Sequence, residues 1–290
     1  MSREQSRAWA MLAPYAVGLA VLIVLPALLT FGLALFRYDL LGSADFRWLG
    51  NFADLLRDRD FHRALANSLV FIAIAVPLRL IGALALALLM HRDFRGAGAG
   101  RTAAYLPTVV PDSAYALLWL FLFNPLYGPL NGGLGALGIH TPAWLTVGSS
   151  AMAAIILMSC FTIGEGFVVA LATRQELPGE LYELARLEGS GPLYTLRRVT
   201  LPLMAPTLGL LAARDVAFSL QATFVPALLV TQGGPNRATT FLPQLIYENA
   251  FQNLRYGYAA AMTLTMFLVT LVIVYVQYRI VGRWRFGFGR

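Results

Sequence analysis

Apolar residues run through this chain in long blocks separated by short polar stretches. Spanning the hydrocarbon core of a bilayer as a helix takes about 20 mostly apolar residues. Six blocks reach that length: 9–36, 64–90, 102–123, 150–173, 203–231 and 257–280. No interval between them leaves room for a soluble domain. The pattern predicts an all-α, polytopic membrane protein with six transmembrane helices. The expected organisation is an N-terminal tail over 1–8, a first helix and outer loop over 9–63, a core over 64–282 and a C-terminal tail over 283–290. Pro107 and Pro111 interrupt the third block and Pro226 the fifth, so bent spans are expected there.

The first block follows Arg3 and Arg7, as a secretory leader does. However, Trp9 to Phe36 carries no charge, is far longer than the apolar core of a leader and is followed by no small-residue cleavage site. A retained helix is expected.

Composition agrees with lipid as the main solvent. Of 290 residues 58% are hydrophobic and 13% charged, about half the charged share of an average soluble domain. All 22 basic residues are arginine. Without lysine the chain cannot carry the usual phosphate-binding P-loop, so any ATP that drives it binds another subunit. Cys160 is the single cysteine, which excludes an intrachain disulfide and a cysteine metal cluster. His62, His91 and His140 stand in three different loops, without metal-site spacing, so neither metal ligands nor catalytic residues are assigned.

Arginine concentrates on the cytoplasmic side of membrane proteins. Alternate loops and the two ends carry 13 arginines: Arg3, Arg7, Arg92, Arg95, Arg101, Arg174, Arg186, Arg197, Arg198, Arg279, Arg283, Arg285 and Arg290. The other loops carry 7, and in the first of them five aspartates offset the arginines. Both ends are therefore expected in the cytoplasm. The net charge of +7 reads as topology and contact with anionic lipid, with no reason to invoke nucleic acid.

One polar interruption, 180–202, has its own periodicity. Pro178-Gly179 signals a turn, after which Leu181, Leu184 and Ala185 share one helical face, away from Glu180, Glu183 and Arg186. Gly189-Ser190-Gly191 ends that helix, and Pro192 suits the first position of another, whose stripe is Leu193, Leu196 and Thr200. A helix of about eight residues is marginal alone in water, so it packs either on the protein's own membrane end or in a groove of a soluble partner.

This segment resembles the EAA loop of the membrane subunits of binding-protein-dependent ABC importers, with Glu183-Leu184-Ala185, Gly189, Val199 and Leu201-Pro202 at matching spacings. Leu184 replaces the usual first alanine, Glu188 stands where aspartate is common and Val199 replaces isoleucine. Asn67-Ser68, Phe123-Asn124-Pro125 with Gly128 and Asn131, and Thr231-Gln232-Gly233-Gly234-Pro235 look like the carbohydrate-uptake subfamily, relatives of the maltose permeases. The resemblance covers roughly 5 to 285. It implies the type I importer permease fold, with the EAA helix as a coupling helix seated in the ATPase through Glu183, Leu184, Ala185, Arg186, Glu188 and Gly189. It also implies a second homologous permease, two ATPase subunits that bind the ATP and Mg, an extracytoplasmic sugar-binding protein and a bacterial inner-membrane location, with no cofactor on this chain.

Five formal charges fall inside the blocks: Arg79, Asp112, Glu165, Arg214 and Asp215. A central charge costs about 2.5–3.5 kcal/mol on insertion scales, so these should face the bundle interior, water or one another. Asp215, Ser219 and Thr223 recur at four-residue spacing on one face of the fifth block, and Phe161, Thr162 and Glu165 lie within about one turn in the fourth. The family's substrate-contacting positions fall at about these places, so the resemblance implies that these six line the sugar path, with Gln221 in reserve. Carboxylates accept hydrogen bonds from hydroxyls, and an aromatic face covers the apolar side of a sugar ring. Three alternatives stay open: a permease for glycerol 3-phosphate or another small polar solute, an ion-coupled secondary transporter using Asp112, Glu165 and Asp215, and an intramembrane enzyme. The last lacks any nucleophile–histidine pair in the spans.

Overall fold

The computed structural model describes residues 3–39, 44–92 and 94–282. The C-terminal tail and Arg283, Arg285 and Arg290 lie outside the described residues. The chain divides into two compact units, residues 1–62 with 245–268, and residues 63–244 with 269–290.

In the first unit α1 begins at Arg3, inside the expected tail, and carries the apolar stretch Met11–Leu33, with a π turn over Ala20–Val24. None of that stretch is buried in the protein. Leu22 and Leu28 are exposed, as side chains dissolved in lipid or set against another subunit would be. Beyond it β1 (Phe36–Arg37) pairs antiparallel with β2 (Asp45–Phe46). The buried Asn51, in the short helix α2 (Gly50–Leu55), donates to the carbonyls of Ala34 and Phe36 at 2.7 and 2.9 Å. Asp58 caps the start of α3 (Arg59–Met90), accepting from the N–H of Asp60 at 2.8 Å, and receives the Tyr258 hydroxyl at 2.5 Å.

The second unit holds the polar core. α4 (Ala97–Val109) and α5 (Asp112–Leu122) meet at 101°. The cause is Pro111, which lacks an N–H and forces Val110 into extended backbone (φ −70°, ψ 130°). The loop after α5 includes the short helix α6 (Pro129–Ala136). α7 (Gly148–Ser159) and α8 (Gly164–Glu176) meet at 47°, without proline. There the Thr162 and Ser159 hydroxyls donate to the carbonyls of Ser159 and Ile156, competing with helical continuation. α9 (Gly179–Leu187) follows, then α10 (Pro192–Thr231); α11 (Leu242–Tyr247) and α12 (Tyr256–Gly282) contribute residues to both units.

The six expected spans thus appear as four continuous helices and two bent pairs. The helix that starts at Pro192 runs through a π turn at Leu196–Thr200 straight into the span.

Small residues let the helices of this unit approach closely. A Cβ on Gly164 would meet the Thr108 side chain and the Tyr105 backbone, and the Gly164 N–H is accepted by Thr108 Oγ1 at 3.1 Å. Ala83, Ala87, Phe167, Ala170, Met204 and Leu211 pack in one buried cluster of α3, α8 and α10. A second cluster gathers Tyr115, Trp119, Phe123, Ala154, Met158 and Val230.

The motifs quoted as turn signals are joined in space. Asn67 Nδ2 donates to the carbonyls of Arg237 and Thr240 at 3.0 and 2.9 Å, and Ser68 Oγ accepts the Leu242 N–H at 3.0 Å. Gly233 sits at φ +75°, where a Cβ would press on Thr240 and Gln244. Asn124 Oδ1 accepts the Leu126 N–H at 2.9 Å, and its carbonyl takes the Asn131 side chain at 3.2 Å.

Candidate functional site

Two sites emerge, both in the second unit. The first is a cavity of about 170 Å³ lined from α3, α4, α5, α7, α8 and α10. The two helix breaks bring polar groups to it: Asp112 starts α5 just after Pro111, and Thr162 and Glu165 flank the α7–α8 bend. Tyr115 reaches from α5 to donate its hydroxyl to the Met158 carbonyl at 2.7 Å, satisfying backbone at the end of α7.

Four of the intramembrane charges form two pairs. Arg79, only 6% exposed, lies 3.1 Å from the Asp215 carboxylate, and a second guanidinium nitrogen bonds Ser219 Oγ. Ser219 in turn donates to the Asp215 carbonyl at 2.5 Å. Arg214 pairs with Glu165 and lies over the Phe218 ring at 5.5 Å. A charge buried in lipid-embedded protein persists when paired and hydrogen-bonded, as Arg79 is; the Arg214–Glu165 pair is half exposed.

Of the six residues expected to touch solute, Thr162, Glu165, Asp215 and Thr223 line the cavity. Ser219 is fully buried behind it, holding Arg79 and Asp215. Phe161 is half exposed and set against Trp119, ring centroids 5.2 Å apart, outside the lining. Gln221, the reserve, is exposed and does not line it either. Sequence reasoning noted Asp112 and Arg79 as charges but did not place them in the site, because nothing in a linear pattern shows that a proline break brings Asp112 to the cavity.

The second site is α9. Its C-terminus closes as a Schellman motif, with the Ser190 N–H bonded to the Ala185 carbonyl and the Gly189 N–H to the Arg186 carbonyl, both at 2.9 Å. Gly189 is at φ +74°, the left-handed conformation that favours glycine. Ala185 is buried, whereas Glu183, Leu184, Arg186, Leu187 and Glu188 point outward. Leu184 thus leaves the inner face on which periodicity places it. Tyr182, which the sequence reading did not single out, anchors the helix: its hydroxyl lies 3.1 Å from Thr200 Oγ1 and the Arg174 guanidinium stacks on its ring at 4.2 Å.

Residues 49–286 match the family described as binding-protein-dependent transport system inner membrane component. The chain belongs to that family. This inner membrane component is a permease, and the chain is accordingly a multi-pass membrane protein. Among curated relatives it is similar to the diacetylchitobiose uptake system permease protein NgcF of Streptomyces coelicolor, at 32% identity over 93% of this chain and 82% of that one. It is also similar to the sn-glycerol-3-phosphate transport system permease protein UgpA of Yersinia pestis, at 31% identity over 83% of this chain and 82% of the relative. Its fold matches a chain in the crystal structure of a bacterial alginate ABC transporter in complex with alginate pentasaccharide-bound periplasmic protein, with a TM-score of 0.83, 23% identity and coverage of 97% and 96% of the two chains.

Proposed function

We propose that this permease forms half of the pathway through which an ATP-driven importer takes up a sugar or polyol delivered by an extracytoplasmic binding protein. The relatives named for diacetylchitobiose and glycerol 3-phosphate, and the fold neighbour caught with a sugar-loaded periplasmic protein, support the substrate class and that partner. The observation that carries the reading is α9: a short helix held by Ala185 and Tyr182 and capped at Gly189, which presents Leu184 and Leu187 to solvent at 56% and 85% exposure. A monomer gains nothing from two exposed leucines on so short a helix, and a partner groove does.

In this reading an ATPase subunit binds the ATP and Mg and receives Glu183, Leu184, Arg186, Leu187 and Glu188, while Ala185 and Gly189 fix the helix that presents them. A second homologous permease completes the pathway. The arginine-rich loops and both termini face the cytoplasm. Solute contacts Thr162, Glu165, Asp215 and Thr223 in the cavity, while Ser219 orients Arg79 and Asp215, and Phe161 offers its face beside Trp119. Alternating access then requires nucleotide to bias two states. Moving such an equilibrium from 1:99 to 99:1 takes about 5.5 kcal/mol of differential binding, supplied through α9.

Uptake into vesicles of the complete transporter tests this. Depleting ATP while keeping the ion gradient should abolish uptake; uptake that persists on the gradient alone would favour an ion-coupled carrier.

A further inference from the structure

We propose that Asp112 is a specificity residue that makes this chain's half of the pathway select uncharged, hydroxyl-rich solutes and reject anions. The proposal rests on the importer reading above and narrows its substrate. The cavity lining contains two cations, Arg79 and Arg214, and three anions, Asp112, Glu165 and Asp215. Each cation is already matched, Arg79 by Asp215 and Arg214 by Glu165. Asp112 is the carboxylate left over, with no ion-pair partner among the described residues. Alongside it Thr223, 2% exposed, lines the same cavity with an Oγ1 that has no hydrogen-bond partner.

A phosphate or uronate entering this space would have to displace a protein carboxylate from its arginine or lie beside the unpaired Asp112, and like charges juxtaposed across a binding site disfavour the wrong partner. A sugar hydroxyl meets the opposite situation. It donates to the Asp112 carboxylate in a charge-assisted hydrogen bond, whereas Thr223 Oγ1, enclosed in this structure, is reached only where the lining opens. Phe218 in the same lining offers apolar surface to a ring. An acidic residue in the first turn of α5 also suits the helix dipole, a role independent of solute. The test therefore needs a readout that helix stability does not move.

The complete transporter, with its own ATPases, partner permease and binding protein, is reconstituted in proteoliposomes. An extract of the host's growth medium is split by ion exchange into anionic, cationic and uncharged fractions, and each is scored for stimulation of ATP hydrolysis. The uncharged fraction alone should stimulate. In Asp112→Asn the half-saturating amount of that fraction should rise at least about five-fold with a smaller change in maximal rate, the mark of a lost binding contact; Asp112→Arg should abolish the response. Stimulation by the anionic or cationic fraction overturns the proposal, as does an Asp112→Asn dose response matching the parent's. The fraction experiment on the parent protein decides the charge question even where a variant fails to assemble. Stimulation by no fraction counts against the importer reading itself and takes this proposal with it.

Discussion

Gly189 and Asn67 show how single residues hold this protein in shape. At φ +74° any side chain at 189 is strained, on the order of 1–2 kcal/mol for a left-handed residue. A Gly189→Val change should therefore loosen the end of α9, and co-purification of the ATPase with the permease should fall; unchanged co-purification and uptake would remove the coupling role. Asn67→Ala strips two hydrogen bonds from the loop around Arg237 and Thr240. Losing these partly exposed bonds should cost about 0.5–1.5 kcal/mol each, read as a lower thermal midpoint of the purified complex. The end of the helix at Gly189 was legible in the sequence, because glycine after an amphipathic run signals a C-terminus. The partners of Asn67 were not, since they lie 170 and 173 residues away and no local pattern encodes a long-range carbonyl.

At the scale of elements, periodicity found the spans and missed what divides one of them. Pro111 announces the 101° break of the third span. The 47° break of the fourth arises from the Ser159 and Thr162 hydroxyls and the close approach at Gly164, features that read as ordinary in a polar-dotted apolar run. This bend is also why the candidate site was only half legible: it puts Thr162 and Glu165 on the cavity and leaves Phe161 against Trp119. Likewise the spacing of Asp215, Ser219 and Thr223 identified a common face, but Ser219 is used up in holding Arg79. The element that links cavity and α9 most directly is α8, whose first turn carries Glu165 and whose last turn carries Arg174, stacked on Tyr182. A Tyr182→Phe change keeps the stacking and removes the hydroxyl bond to Thr200, worth about 0.5–1.5 kcal/mol. The expected result is solute uptake falling more than ATP hydrolysis, a lower coupling ratio; an unchanged ratio would reduce Tyr182 to a packing residue.

For the whole molecule, the apolar spans and the family match describe an inner membrane permease component. The claim on which this account depends is that α9 is gripped by a separate nucleotide-hydrolysing subunit. The direct measurement is site-specific cross-linking in the complete transporter: with Cys160 replaced by serine, cysteines are introduced one at a time at Leu184 and Leu187 and tested for bonding to the ATPase with and without ATP. The account predicts cross-links at both positions whose yield changes with nucleotide, and none from a control cysteine at Leu22 in α1. Solute transport by the purified chain alone, with positions 184 and 187 free of any ATPase, would contradict it.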